Sequence, residues 1–331
     1  GPASLQYDPT EGFGPLRRAL ADDLGSRKGI PASPEDVFIA SGSQGVLDAA
    51  GKVFISKGDP IAVESPTYLG AIQAFDPYEP DYVTLATDEK GLIPESLESA
   101  IGANQLKFVY LVPTFQNPTG RTLPKERREH IAWILTRYDV LLVEDDPYSD
   151  LRYDGEPLKP LKALAPDHVL YIGTLSKVFS PGLRIGFYVP PALLEDWLVI
   201  AKQGVDLHTS TFNQALASEY LSGSHLEQHL PHIIARYKPK KDAMLEALAN
   251  HFPNDFTWSR PEGGMFVWVE GPPGYDMEAL YHRGVSKNVA FVPGKYFFAD
   301  SQSGMETMRL NFTMADKATI HAAIHVLSKL L

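Results

Sequence analysis

The sequence predicts an α/β protein: a large domain with a mostly parallel sheet covered by helices, followed by a smaller α+β domain. Three observations carry that prediction. Near-continuous Val/Ile/Leu runs of strand length alternate with helical patterns through the first two-thirds of the chain, as strands buried on both faces do. Gly and Pro punctuate the joins between them. From about Gln214 onward the pattern changes to long helices and then to short strand-like segments.

In order, Val37–Ala40, Pro60–Val63, Phe108–Val112, Val140–Val143, Val169–Ile172 and Ile185–Val189 read as strands, with helices over Gly45–Ile55 and Lys125–Tyr138. Leu226–Ala249 reads as a long helix, and Gly264–Val269, Phe291–Pro293 and Met308–Thr313 have strand character. A boundary near Tyr237 divides the chain into a large domain, 1–236, and a small one, 237–331. A length of 331 residues is more than one small core commonly serves, in keeping with two domains.

Bulk composition excludes several function classes. A formal charge of -11 without a basic run argues against nucleic acid as a partner. The chain has no cysteine, which rules out disulfides, thiolate metal sites and cysteine nucleophiles. No apolar run has membrane-spanning length and no signal-peptide pattern opens the chain, so a cytoplasmic enzyme without a membrane partner is expected.

In open parallel sheets the ligand site collects at the carboxyl ends of the strands. The polar motifs sit there. The run Gly173–Arg184 follows a strand and presents Thr174, Ser176, Lys177 and Arg184 in a short turn. An amine flanked by hydroxyls and a guanidinium suits an aldehyde cofactor carrying a phosphate, although a polar turn with an exposed lysine has the same composition. Ser43 and Gln44 follow another strand and open a helix, where backbone N–H groups bind an anion or Ser43 acts as a plain N-cap. Tyr68 is available to stack on a flat heteroaromatic ring, or to sit half-buried at a rim. Pro118 pushes Asn117 into an extended conformation that aims its amide off the sheet, in a dipeptide also common in turns.

Asp145 ends a strand within Glu144–Tyr148. A carboxylate at a buried strand end needs a counterpart: a protonated ring nitrogen, a metal ion, or solvent. No histidine lies nearby in sequence to complete a metal site. Arg309 interrupts an otherwise apolar strand, which suits a carboxylate ligand or an ion pair with a protein acid.

Taken in this order, the motifs resemble those of the fold-type I, pyridoxal-phosphate-dependent aminotransferases of classes I and II over nearly the whole chain. Phe115–Gly120 and Glu144–Tyr148 are most similar to the 2-aminoadipate/aromatic subgroup. The resemblance implies a large domain with a seven-stranded-type sheet and pyridoxal 5′-phosphate as cofactor. It implies that Lys177 bonds to the cofactor and shuttles a proton between substrate Cα and cofactor C4′, that Asp145 keeps the ring nitrogen protonated, and that Tyr68 stacks on the ring. Asn117 and Tyr148 then bind the ring's phenolic oxygen; Ser43, Gln44, Thr174, Ser176 and Arg184 hold the phosphate. Arg309, assisted by Asn117, clamps the substrate carboxylate. Tyr7 matches a tyrosine that reaches the phosphate of a neighbouring subunit, which implies a homodimer with shared active sites.

Family members usually carry some tens of residues before the position of Tyr7, forming an arm that closes over the substrate. The activity implied is ping-pong transamination between an aromatic or 2-aminoadipate-like amino acid and a 2-oxo acid such as 2-oxoglutarate. A lyase on the same scaffold and the effector-sensing domain of a MocR-type transcription regulator are the alternatives; Asn117 before Pro-Thr-Gly and Asp-Pro-Tyr at 146–148 favour the enzyme. Phe13, Tyr68, Phe212 and Phe297 are expected to line a broad pocket, and His208 to pack or cap.

Overall fold

The structure is a computed structural model that describes residues 5–331. Its large sheet has seven strands, interleaved with one short hairpin. These are β1 (Phe38–Ala40), β2 (Pro60–Glu64), β3 (Asp81–Leu85), the hairpin β4 (Thr87–Asp88) and β5 (Gly91–Leu92), β6 (Val109–Leu111), β7 (Leu142–Asp145), β8 (Val169–Thr174) and β9 (Gly186–Val189). The order across the sheet is β1-β9-β8-β7-β6-β2-β3. From β3 to β8 each neighbouring pair is parallel, and only β9 runs against both its neighbours.

The strands are apolar throughout because both faces are covered. Phe108, Tyr110 and Val112 pack into one core cluster with the helix Ser43–Phe54, while Val109 and Leu111 pack into another with the helix Lys125–Tyr138. This is the period-two alternation of a strand read out as two separate cores. β7 obeys it too, with Leu142 on the side of Leu111 and Val143 on the side of Tyr110. In Lys125–Tyr138, Ile131, Ile134 and Leu135 recur at helical spacing and supply the buried stripe.

The C-terminal part has an antiparallel sheet in the order β10 (Thr257–Trp258), β11 (Phe266–Glu270), β13 (Thr307–Asn311), β12 (Val292–Pro293). Helix Lys317–Ser328 buries Ile320, Ile324 and Leu327 in one cluster with Ala243, Met244, Ala247 and Leu248 of the helix His225–His251. That helix runs unbroken for 27 residues despite Pro231 and Pro239 inside it.

Every strand expected in the large sheet is present. β3 was not anticipated, because at the sheet edge exposed Asp81 and Thr84 interrupt its apolar residues and only Leu85 is fully buried. β7 extends two residues beyond the expected Val143, so Asp145 is the last residue of the strand itself. Among the described residues no helix is long and apolar enough to cross a membrane.

Candidate active site

The carboxyl ends of β6, β7 and β8 lie side by side, with Leu111 opposite Glu144 and Asp145 opposite Ile172. The segments leaving them, together with those leaving β1 and β2, close a cavity of about 270 Å³. All the predicted site residues except Tyr7 and Arg309 line it. A larger cleft of about 800 Å³ lies elsewhere; in it Arg152 pairs with Glu262 at 2.8 Å and Arg121 with Glu270 at 3.3 Å.

The three consecutive acids after Val143 have separate fates. Glu144 turns to the opposite face and accepts the backbone N–H groups of Leu161 and Lys162, 2.8 and 2.7 Å away, at the start of a short helix. Asp146 accepts from the Tyr171 hydroxyl at 2.7 Å and the Ser149 hydroxyl at 2.7 Å, with the Lys28 ammonium at 3.3 Å. Asp145 alone lines the cavity; it is 2% exposed, its Oδ2 accepts from the Tyr110 hydroxyl at 2.8 Å, and its Oδ1 is buried without a partner. Burial pushes this carboxyl up to about 7, against the pull of the Tyr110 hydrogen bond and the Lys177 charge. An orphaned acceptor of this kind fits a cationic N–H. Among the described residues no group of three acids or histidines is arranged to hold a metal.

Lys177 enters the cavity from the turn after β8. Its ammonium is pulled below the usual lysine range, first by desolvation and then by the charges of Arg184 and Arg309. Both effects favour the neutral, nucleophilic amine.

At the second end of the cavity Ser43 and Gln44 begin the helix Ser43–Phe54. The Ser176 N–H donates to the Thr174 hydroxyl at 3.2 Å, and the two hydroxyls lie 3.0 Å apart. Arg184 approaches so closely that a Cβ on Gly42 would stand 2.2 Å from its Nη2, and Gly42 itself has φ of +86°. Only glycine meets both conditions. A helix N-terminus, two hydroxyls and a guanidinium together make a site for a dianion. The Gln44 side-chain amide is engaged elsewhere, donating to the Gly70 carbonyl at 2.5 Å, which leaves its backbone N–H as the group available at the helix start. Tyr68 is half-buried just before the helix Leu69–Phe75, and its ring occupies the space that a Cβ on Gly70 would need.

Asn117 is committed at both ends: its Nδ2 donates to the Tyr148 hydroxyl at 3.1 Å and its Oδ1 accepts from Arg309 Nη1 at 2.8 Å. Arg309, on β13, lies 4.1 Å from the centre of the Phe266 ring and 5.0 Å from that of Phe297, with its Nε buried and unpartnered. Desolvation lowers its pKa, and the groups that act against this are Tyr148 and Tyr68 rather than carboxylates. A guanidinium on an aromatic bed with an open donor suits a small carboxylate.

Tyr7 stands apart: it is 83% exposed and meets the edge of His208 with ring centres 5.7 Å apart. The expected aromatic lining is corrected as well, since of the four rings only Tyr68 reaches the cavity. Phe13 packs against the core cluster under the first helix, Phe212 opens the helix Thr211–Ser222 and faces solvent, and Phe297 is buried beneath Arg309. Tyr110 was not anticipated, because it sits inside an apolar run; the alternation that puts it on the face of Val143 and Asp145 was the available signal.

These residues fit pyridoxal phosphate: an amine for the aldehyde, an open carboxylate oxygen for the ring nitrogen, and an anion site for the phosphate. Comparison with known proteins agrees. An aromatic-amino-acid aminotransferase of Thermococcus litoralis is 46% identical over 98% of this chain and 79% of its own. A multiple substrate aminotransferase from Thermococcus profundus superposes with a TM-score of 0.95 at 45% identity, covering 99% of this chain and 82% of that one. The alpha-aminoadipate aminotransferase of Thermus thermophilus, complexed with N-(5′-phosphopyridoxyl)-L-leucine, gives 0.94 at 40% identity over 99% and 83%. The family model for aminotransferases of class I and II matches residues 1–327, and the chain belongs to that family of pyridoxal-phosphate-dependent transaminases.

Proposed function

We propose that the chain moves the amino group of an aromatic or 2-aminoadipate-type amino acid to a 2-oxo acid such as 2-oxoglutarate, in two half-reactions of a ping-pong cycle. The observation that carries this reading is that Lys177 and Asp145, whose Oδ1 has no partner, line one cavity with Asn117, to which Arg309 is hydrogen-bonded. The aromatic-amino-acid and alpha-aminoadipate aminotransferases among its relatives support the substrate class.

When bound, pyridoxal phosphate supplies an electron sink conjugated with the substrate's Cα. Lys177 would anchor the cofactor through its aldehyde and would carry the proton between the substrate's Cα and the cofactor's C4′. Desolvation, with the charges of Arg184 and Arg309, shifts its ammonium toward the neutral form that accepts that proton. Asp145 holds the proton on the ring nitrogen, and Tyr68 covers the ring face. Asn117 and Tyr148 hold the phenolic oxygen; Ser43, Gln44, Thr174, Ser176 and Arg184 hold the phosphate. Arg309 receives the α-carboxylate and orients Cα toward Lys177, its own direction fixed by Asn117.

A homodimer completes the site, with Tyr7 reaching the partner's phosphate. An exposed apolar face supports this reading: Leu193, Trp197, Ile200 and Val205 lie on or beside the helix Glu195–Asp206, with Trp197 64% exposed. Gln203 of the same helix donates to the Thr10 hydroxyl, linking that face to the segment that carries Tyr7. The division between the domains is set at residue 237, inside the helix His225–His251. The cysteine-free composition supports a cytoplasmic setting.

The test is the visible spectrum of the cofactor-loaded protein, challenged with a panel of amino acids and then with 2-oxoglutarate. Aromatic and 2-aminoadipate donors should bleach the band and 2-oxoglutarate should restore it; a band that no amino acid alters would overturn the reading.

A further inference from the structure

We propose that Tyr110 is a positioning residue for Asp145: its hydroxyl occupies one carboxylate oxygen and thereby presents the other to the cofactor's ring nitrogen. This rests on the role given above to Asp145.

Tyr110 is in the middle of β6, fully buried, in a run that otherwise holds only Phe, Val and Leu. It pairs in register with Val143 of the parallel strand β7. Asp145 is therefore two residues further along on the same face, about 6.6 Å at the usual strand rise. That is roughly the reach of a phenol laid along the strand, and the hydroxyl meets Asp145 Oδ2 at 2.8 Å. The ring packs edge-on against Phe75, with centres 5.8 Å apart, a contact that phenylalanine would make equally well. What phenylalanine would lack is the donor. Packing thus accounts for an aromatic residue at 110, and the hydrogen bond accounts for its being tyrosine.

Tyr68, Lys177, Tyr148 and the adjoining Asp146 are the other titratable groups that act on Asp145 or are acted on by it. Asp146 is occupied by Tyr171, Ser149 and Lys28. Among the described residues Tyr110 alone hydrogen-bonds the Asp145 carboxylate. Burial, with the neighbouring charge of Asp145 next in importance, holds the Tyr110 phenol far above its usual titration range, so it remains a donor at every functional pH. With Oδ2 so engaged, Oδ1 is the oxygen left without a partner. Without the phenol, the carboxylate is free to turn and also loses the group that favours its ionised form.

The experiment compares Tyr110→Phe with the parent, measuring the dissociation constant for pyridoxal phosphate across the neutral pH range, then kcat and KM. The expected result is affinity about tenfold or more weaker, as for a lost buried hydrogen bond to a charged group. The acid limb of the binding curve should move to higher pH, and kcat should fall while KM for the amino acid holds. Phe75→Leu disturbs the same packing without touching the hydrogen bond and should leave the acid limb in place. If Tyr110→Phe keeps the parent's affinity and acid limb, or if Phe75→Leu shifts the limb as far, the proposal is overturned. Asp145→Asn separates the two layers: if it too leaves binding and kcat unchanged, the role of Asp145 fails; if it damages both while Tyr110→Phe does not, only the role of Tyr110 fails.

Discussion

Arg309 Nη1 donates to Asn117 Oδ1 at 2.8 Å, a bond between residues 192 apart in sequence that joins the small antiparallel sheet to the loop after β6. Because Asn117 also donates to Tyr148, the direction of one guanidinium and of one phenol depends on a single amide. Arg309→Lys keeps the charge but loses the fork and the aromatic stacking. KM for the amino acid should rise about 10- to 100-fold, with the affinity for pyridoxal phosphate unchanged, as steady-state kinetics and a cofactor titration would establish.

Lys177→Ala removes the only amine among the described residues that lines the cavity. Transamination should fall by at least about 10³-fold, and added amines should recover part of it, because general-base steps commonly account for factors of that size. Single-turnover absorbance measurements on the variant check this; residual turnover within tenfold of the parent contradicts the role.

Gly42→Ala introduces a methyl where Arg184 already stands, at a φ that disfavours any side chain. We expect a loss of about 1–3 kcal/mol in stability from the backbone alone, along with weakened phosphate binding as Arg184 is displaced. Thermal melts with and without inorganic phosphate separate the two effects.

The ligand-free protein should show an unusual pH dependence at Asp145. Its carboxyl sits near 7 in the folded chain and near 3.8 when exposed, so between those values the native state binds more protons than the unfolded one. Stability therefore falls as pH rises through that window, at up to about 1.4 kcal/mol per pH unit for this group. Asp145→Asn should accordingly be more stable than the parent at pH 8 without cofactor, with the difference shrinking toward pH 4. Added pyridoxal phosphate should reverse the order, because only the parent gains the ion pair. Denaturant melts at several pH values provide the check.

Trp197→Glu places a charge on the exposed apolar helix face. Sedimentation should show monomer, and activity should drop with it although every residue lining the cavity is intact. An active monomer would remove the need for Tyr7 from a second chain.

The parallel strands were legible in the sequence because burial on both faces writes them as unbroken apolar runs. The large-domain motifs stood out because each follows a strand, and Arg309 because it is a charge inside an apolar one. β3 was hidden, since at the sheet edge exposed Asp81 and Thr84 break up its apolar residues. Tyr110 was hidden for the opposite reason, as an aromatic within an apolar run reads as core until the facing strand is known. The aromatic pocket was misjudged because ring direction depends on local helix starts and on the small sheet. Phe297 ended under Arg309 and Phe212 in solvent, outcomes that composition does not distinguish.

Glu144, Asp145 and Asp146 are chemically near-equivalent, and what distinguishes them is the register of β7. A slip by one residue would send Glu144 or Asp146 toward the cavity and hand the helix start at Leu161 to a different acid. Leu142 and Val143 enter opposite cores in step with Leu111 and Tyr110 of the paired strand β6. Which acid meets the cofactor is thus a matter of strand parity, carried by the backbone pairing of β7 with β6 and β8 rather than by anything in the acids themselves.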